Sequence, residues 1–463
     1  MKNNYKITNE QIDNYLKKFR HFSEKVLDVY DLPQLLDYFY RQKSHFATTQ
    51  EIKKIWEKSL KDKNLSDINF YIHIPFCSQR CDYCHNPSNQ LASRKNINFY
   101  LNNLIEEMIY FSPIFKNIKF SNLSIGGGTP NILNIQELEK LLQATFKYFK
   151  FSNSAIKEVE FNPLFTTLEQ LSVFRKFGFD RVSFGVQSLA RKALVAANRG
   201  YFKFNMIKKS IELSKKTGFK DISLDLILGF LEETYGEFEK NLVKLLKLDP
   251  FRIEIYVLKL PSLDYLNKHA NGDKNIFYLH RQEMIKEFLK NIKKIAIKFN
   301  YILGDPWGEN NQYYDDQTNL LASYFVLIKN DPEYYSKRYF ECFGLFGFSN
   351  CFGLGEFSIS GILEKYLIFQ KKEFNPGDPI YKITETNHDH EMKKYILTTL
   401  SESGKIYLKK FNKKFNANFL KEFNLPIQIL LRLKKIKIRN DKFIFLTKKK
   451  EEIFIYSMFF LLD

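Results

Sequence analysis

Three cysteines stand within one short run, Y-I-H-I-P-F-C-S-Q-R-C-D-Y-C-H-N-P (71–87): Cys77, Cys81 and Cys84. The whole chain holds five. A C-x3-C-x2-C loop gathers three thiolates round one point. Zinc asks for four ligands in a tetrahedron, and His85, directly after Cys84, cannot easily fold back onto the same ion. A [4Fe–4S] cube held by three cysteines uses the spacing better, because one iron keeps no protein ligand and stays open for chemistry. On the loop alone, zinc remains the alternative. Cys342 and Cys351 lie far downstream and read as small buried residues rather than ligands.

A second feature is S-I-G-G-G-T-P (124–130). Three glycines let the backbone approach a ligand, and their N–H and C=O groups can pair with the ammonium and carboxylate of an amino acid. A tight turn alone would also explain them. Polar residues mark three further strand ends: Glu160, Gln187 and Asp225. Strand interiors are normally apolar, so three such positions at one rim point to a site.

These groups need a scaffold that brings strand ends together. Short β-rich runs occur at 69–74, 123–128, 158–163, 181–186, 222–229 and 252–258. Helix patterns lie between and after them, near 97–111, 136–149, 167–177, 205–217, 235–247 and 280–299. Strand then helix, six times over, predicts a parallel sheet. Six units suit a curved sheet or partial barrel, where active residues sit at the ends of strands.

The flanks read differently. Residues 1–67 have a helical pattern and form an N-terminal helical extension. The partial barrel is expected over 68–300 and a barrel-completing, connecting region over 301–385. From 386 to 463 the pattern is helices at 389–402, 406–415 and 424–435, a hairpin turning at Asn440-Asp441, and a last apolar helix. That order suggests a winged-helix-like domain.

The net charge is +19, and residues 401–463 carry 15 Lys or Arg against 6 Asp or Glu. A basic tail can bind nucleic acid. We read it instead as solvated surface in a Lys-rich chain, or as attraction for an acidic substrate. Met1 to Arg20 is polar and charged, so no secretory signal is expected. No apolar run reaches the roughly 18 residues of a membrane span. Clustered thiols without an export signal predict a reducing, cytoplasmic setting.

Taken together, Y-I-H-I-P-F-C-x3-C-x-Y-C, G-G-G-T-P, E-F-N-P, G-F-D-R-V-S-F-G-V-Q-S, Asn198-Arg199 and L-D-L-I-L-G-F resemble radical S-adenosylmethionine enzymes. The branch is that of oxygen-independent coproporphyrinogen III oxidase. The motifs keep the family's order over residues 69 to about 260. G-F-S-N-C-F-G-L-G-E-F-S-I-S (347–360) resembles that branch's later glycine-rich segment. The resemblance implies a partial (β/α)6 TIM-like barrel with a [4Fe–4S] cluster on Cys77, Cys81 and Cys84, and S-adenosyl-L-methionine on its open iron. It implies that Gly126, Gly127, Gly128 and Thr129 line the methionine end. Glu160 and Asp225 would accept from ribose or amino groups, and Arg199 would face the carboxylate. Gln187 would complete the polar wall, Tyr71 would pack near the cluster, and the backbone at Tyr83 would flank adenine.

The implied reaction is cleavage of S-adenosylmethionine to a 5′-deoxyadenosyl radical acting on a tetrapyrrole or another aromatic substrate. An electron donor such as flavodoxin or ferredoxin would feed it. Two departures keep other readings open. Cys84 is followed by His85 and Asn86, where the branch typically continues C-G-C. E-N-N-Q-Y-Y (309–314) lacks the His and Trp of the H-N-x-x-Y-W signature of the family's haem chaperones. A haem chaperone, a radical methyltransferase and a haem-ring-opening enzyme all remain as alternatives, with a nucleic-acid-binding protein more distant.

Overall fold

Strict alternation along the strands decides how they are buried. In R-V-S-F-G-V-Q, D-I-S-L-D-L-I-L and R-I-E-I-Y-V every second residue is apolar, and successive side chains of a strand point to opposite faces. The structure, a computed structural model, describes residues 8–25, 44–62, 65, 67–90, 93–199, 203–259, 261–304, 324–330, 350–363, 365–447 and 450–462. E-N-N-Q-Y-Y at 309–314, Cys342 and the first residues of the 347–360 segment lie outside them.

Six parallel strands lie side by side in chain order: β1 (Asn69–Ile74), β2 (Lys119–Gly127), β3 (Lys150–Phe161), β4 (Arg181–Gln187), β5 (Asp221–Leu228) and β6 (Arg252–Val257). Each adjacent pair is parallel and in continuous register, apart from one irregularity in β2–β3 and one in β4–β5. Among the described residues the sheet extends further on both sides. Cys351–Leu354 adds to β1 in parallel, and Tyr324–Lys329 adds to β6 antiparallel, followed by Tyr301–Gly304. The fold is α/β with a large, mostly parallel central sheet.

Helices connect the strands, and sequence signals set where they start. Asn134 and Glu137, Thr167 and Gln170, and Thr234 and Glu237 form reciprocal capping boxes at the heads of Ile135–Tyr148, Leu168–Lys176 and Tyr235–Leu246. Each box pairs two otherwise orphaned N–H groups. Gly218 ends Phe204–Thr217 at φ 87°, a left-handed cap that glycine adopts without strain.

The apolar face of the sheet is the core. Leu123, Val159, Val182, Phe184, Leu224 and Ile253 are fully buried. Phe161 on β3 meets Phe174 of Leu168–Lys176 edge-on at 5.6 Å. Near β1, Phe70 packs against Phe120 at 4.7 Å and Phe352 at 5.7 Å. Full burial of each ring contributes about 1.5–3 kcal/mol. The opposite face is largely polar, with Ile156 and Ile227 among the exceptions, which is unusual for a parallel sheet.

Several boundaries differ from the sequence reading. The glycine segment is part of the sheet: Cys351–Leu354, Ile359–Ile362 and Tyr366–Gln370 are strands. Two short helices, Arg191–Ala196 and Leu263–Ala270, carry no periodic signal long enough to find. The helix expected at 406–415 begins later, at Leu408, because Lys405–Tyr407 pairs with Lys442–Phe445 as a strand.

The described residues divide into two units. The larger takes those from His45 to Thr384. The smaller takes those up to Ser44 and those from Glu385 on. In the smaller unit a three-stranded antiparallel sheet and its helices surround Phe411, Phe419, Phe443 and Phe460. The hairpin Ile436–Arg439/Lys442–Phe445 turns at Asn440 and Asp441, both at positive φ, 50° and 61°. Helix Asn9–Lys25 packs in this unit through Tyr15 and Phe19, while helix Thr49–Ser59 belongs to the larger one. The stretch 1–67 is therefore shared between two units. No helix among the described residues is long and apolar enough to cross a membrane.

Candidate functional site

The cysteine loop leaves the end of β1 and is tied down at several places. Phe76–Cys77 pairs with Asn89–Gln90 at its base. The Asp82 N–H donates to Ala197 O at 3.0 Å, and Asn198 Nδ2 donates to Arg80 O at 2.9 Å. The Ser262 N–H donates to Asp82 O at 3.0 Å. Asn198 holds φ 51°, a left-handed conformation that asparagine tolerates better than most residues. All three thiols are free. Cys77 Sγ lies 3.5 Å from Thr129 Oγ1. Burial pushes the Cys84 thiol up.

The glycines of 126–128 each answer a different neighbour. A Cβ on Gly126 would fall 2.8 Å from the Glu160 carboxyl carbon. One on Gly127, at φ 107°, would fall 2.7 Å from the His73 ring. One on Gly128 would sit 2.5 Å from Phe76 O. Glycine here lets an acidic strand end, a buried histidine and the cysteine loop converge on the end of β2.

His73 was not singled out in the sequence. Burial lowers it to about 4, so its ring is neutral. Nε2–H donates to Pro87 O at 3.0 Å, which leaves Nδ1 to accept from the Tyr71 hydroxyl at 2.9 Å. The ring thus clamps the far side of the cysteine loop to β1. Its only sequence signal is its place in Y-I-H-I, on the same face as Tyr71.

Parallel register collects the polar residues of β1 to β6 on that face. Toward the finishing ends stand Glu160, Gln187 and Asp225, while Tyr71 starts level with Ser124 and Glu158 and reaches His73 with its hydroxyl. Glu160 keeps accessible surface while many protein atoms surround it. Burial pushes it up to about 7, with the Glu158 charge adding, and the Gly127 N–H offsets part. Burial and then Glu254 push Asp225 well above the usual carboxylate range, against a Ser183 Oγ hydrogen bond of 2.6 Å. Gln187 sits at φ 66°, beside the irregularity where β4 meets β5.

Arg199 links this row to the loop. Its Nη2 donates to Gly185 O at 2.7 Å and its Nη1 lies 3.8 Å from Cys81 Sγ. Its Nε is buried with no partner. An unpaired buried donor costs about 1–3 kcal/mol, so this atom marks a place for an acceptor. The Tyr83 ring turns away into a core cluster, 5.6 Å from Phe230. Its buried hydroxyl still lies near Cys81 and Arg199.

The other ends of the strands hold a second charged group that sequence reasoning missed. Arg181 Nε donates to Asp221 Oδ2 at 2.6 Å and its Nη1 to Glu158 at 3.2 Å. Arg252 Nε donates to Asp221 Oδ1 at 3.0 Å. Ser124 Oγ donates to Glu158 at 2.9 Å. Alternation was the signal: Glu158 lies two positions before Glu160, Asp221 four before Asp225 and Arg181 six before Gln187. Cys351 is buried, as expected of a packing cysteine.

Residues 71–245 match the model of the Radical SAM superfamily. The chain carries a Radical SAM domain over that stretch, and the cofactors are a [4Fe–4S] cluster and S-adenosylmethionine. The chain is similar to the oxygen-independent coproporphyrinogen III oxidase of Helicobacter pylori strain J99, at 24% identity over 85% of that protein and 83% of this chain. It is also 32% identical to the heme chaperone HemW of Bacillus subtilis over 44% of this chain and 53% of that protein. The solved coproporphyrinogen III oxidase of Escherichia coli has the same fold: TM-score 0.66, 18% identity, covering 88% of this chain and 93% of that one.

The residues present fit both cofactors. Among the described residues no three His, Cys, Asp or Glu side chains close round a single ion. A cube puts each thiolate on its own iron, and so takes them further apart than Zn–S bonds of about 2.3 Å permit. The glycine cradle and the unpaired Arg199 Nε suit a ligand that carries both backbone-binding groups and a carboxylate.

Proposed function

We propose that the chain is an oxidoreductase of the coproporphyrinogen III oxidase type, acting through S-adenosylmethionine on a tetrapyrrole or another aromatic substrate. The observation that carries the reading is Arg199. It is a half-buried cation with its Nε buried and unpaired, set between Cys81 of the cysteine loop and the Gly185 carbonyl. Cys77, Cys81 and Cys84 would hold the cluster. When bound and reduced, the cofactors supply the electron that splits S-adenosylmethionine into methionine and a 5′-deoxyadenosyl radical.

The chain's own groups do the rest. Arg199 would pair its free Nε with the cofactor carboxylate. The backbone of Gly126 to Gly128 and the Thr129 hydroxyl would take the methionine end. Glu160 and Asp225, once ionised, would accept from ammonium and ribose hydroxyls, with Ser183 fixing Asp225. Gln187 would close the wall, and Tyr71, held by His73, would fix the side nearest the loop. The polar face beyond them leaves room for hydrogen-bonding substrate groups. The similarity to HemW supports a second reading, a haem-binding role without turnover.

The test is product analysis by mass spectrometry from anaerobic, dithionite-reduced protein with S-adenosylmethionine and either coproporphyrinogen III or haem. The enzyme reading expects 5′-deoxyadenosine together with a decarboxylated or otherwise oxidised tetrapyrrole. Stoichiometric haem binding with no product from either tetrapyrrole would favour the chaperone reading.

A further inference from the structure

Glu233 is a carboxylate in a place where burial penalises it. It lies in the loop after β5, directly before Thr234, the cap of Tyr235–Leu246, and is 1% exposed. Its Oε1 accepts from Ser188 Oγ at 3.0 Å and from Asn241 Nδ2 at 2.9 Å. Its Oε2 is buried with no partner. Burial pushes the group up to about 7, and the Asn241 and Ser188 hydrogen bonds offset part of that. A buried carboxylate satisfied on one oxygen only costs stability. The core would be served better by a neutral side chain, so the two bonds that Glu233 makes need another reason.

Ser188 supplies that reason. It follows Gln187 directly, and its N–H bonds Val186 O at 2.8 Å, closing a tight turn with Gln187 at the centre. Gln187 holds φ 66° there, near the γ-turn form that is rare and strained. Strain of this kind persists only where surrounding groups over-determine the backbone. Ser188 Oγ accepts from the Ala190 N–H at 2.9 Å while it donates to Glu233, so the residue after Gln187 is held from two sides. Asn241 then ties the same carboxylate oxygen to the helix that follows β5.

The turn decides where the Gln187 amide goes. A Cβ on Gly185 would fall 2.9 Å from Gln187 Nε2 and 3.4 Å from Arg199 Nη2. The amide therefore folds back over Gly185, beside the guanidinium whose Nε is unpaired. We propose that Glu233 is a positioning residue for S-adenosylmethionine: through Ser188 it holds the strained Gln187 turn, and so sets the Gln187 amide beside Arg199. Glu233 touches no ligand itself. The proposal rests on Gln187 belonging to the cofactor wall.

The test is S-adenosylmethionine affinity by equilibrium dialysis, with KM and kcat of dithionite-driven cleavage, on the cluster-loaded full chain. Glu233→Ala removes the acceptor. Ser188→Ala removes the donor and leaves Glu233 in place. Each should weaken affinity about fivefold, the worth of one ordinary hydrogen bond, and raise KM with little change in kcat. Glu233→Gln keeps an oxygen in the Oε1 place and should bring affinity back to within about twofold of wild type. Iron content should not change. A side chain that serves packing alone would lower the melting temperature in Glu233→Ala and leave KM where it was.

Wild-type affinity and KM in Ser188→Ala would overturn the proposal, whether or not Glu233→Ala folds. So would a Glu233→Gln variant that binds as weakly as Glu233→Ala. Gln187→Ala, measured beside them, keeps the two readings apart. Weakened binding there, with wild-type binding in the Ser188 and Glu233 variants, sinks the role of Glu233 alone. Wild-type binding in Gln187→Ala takes Gln187 out of the wall, and the proposal falls with it.

Discussion

The same six strands carry charged side chains at both ends of one face, and the two ends treat them oppositely. At the starts of β3 to β6, Arg181, Asp221 and Arg252 are buried and bonded to one another, with Glu158 and Glu254 alongside. At the finishing ends, Glu160 is exposed and Asp225 half-buried, both are held above their ordinary titration range, and Gly185, opposite Asp225, accepts from Arg199, whose Nε is unpaired. Guanidinium groups that share one buried carboxylate serve the fold, even though Arg252 Nη1 has no hydrogen-bond partner and meets Glu254 only at 3.7 Å. Charge left short of partners at a rim, where the cysteine loop also ends, is arranged for a ligand.

The contrast can be broken most strongly at the paired end. Asp221→Ala leaves two buried guanidinium groups without their main acceptor. Removing one partner of such a pair typically costs about 3–5 kcal/mol. The denaturant midpoint should fall accordingly, and a fall no larger than that of a surface variant would show that this end is not structural.

At the rim the effect should move from stability to binding. Arg199→Ala and Asp225→Ala each remove a charged contact to the ligand, about 1.5–3 kcal/mol, or roughly ten- to a hundredfold in S-adenosylmethionine affinity. The melting temperature and iron content should change little. Wild-type affinity in both variants would mean that these residues face something else.

The raised carboxylates give the comparison a pH axis. Glu160 accepts hydrogen bonds from a cationic or hydroxyl ligand only when ionised, and it ionises near 7. S-adenosylmethionine affinity should therefore rise between pH 6 and pH 8, by at most about tenfold. Glu160→Gln should flatten that rise. A flat wild-type profile would place Glu160 outside the contact.

Gln187 provides the finest test. Its φ of 66° costs a non-glycine residue about 1 kcal/mol or somewhat more. Gln187→Gly relieves that strain while making the unfolded chain freer, so stability should move by about 1 kcal/mol or less. Cofactor affinity should drop. Unchanged affinity would show that the strain serves the turn alone.

Much of the rim was legible because it is written in short motifs. The cysteine loop, the glycine run and the strand-end polar residues can each be found without knowing the sheet. The paired end was not legible. Arg181, Asp221 and Arg252 each open a strand, where a charge normally reads as solvated, and only parallel register brings them together. His73 was hidden for a related reason: nothing local says that its ring will pack against Gly127 and bond Pro87. The strands of 351–370 were hidden by their glycines and serines, whose place in the sheet is decided by neighbouring strands and not by local propensity.

The central claim is that the rim holds a redox cluster on three thiolates and cleaves S-adenosylmethionine there. The most direct measurement is iron content and 5′-deoxyadenosine yield after anaerobic reconstitution and dithionite reduction, for wild type beside Cys81→Ala. The account predicts about four irons per chain and measurable 5′-deoxyadenosine in wild type, with both lost in the variant. One stable zinc per chain, no iron uptake and no 5′-deoxyadenosine would contradict it.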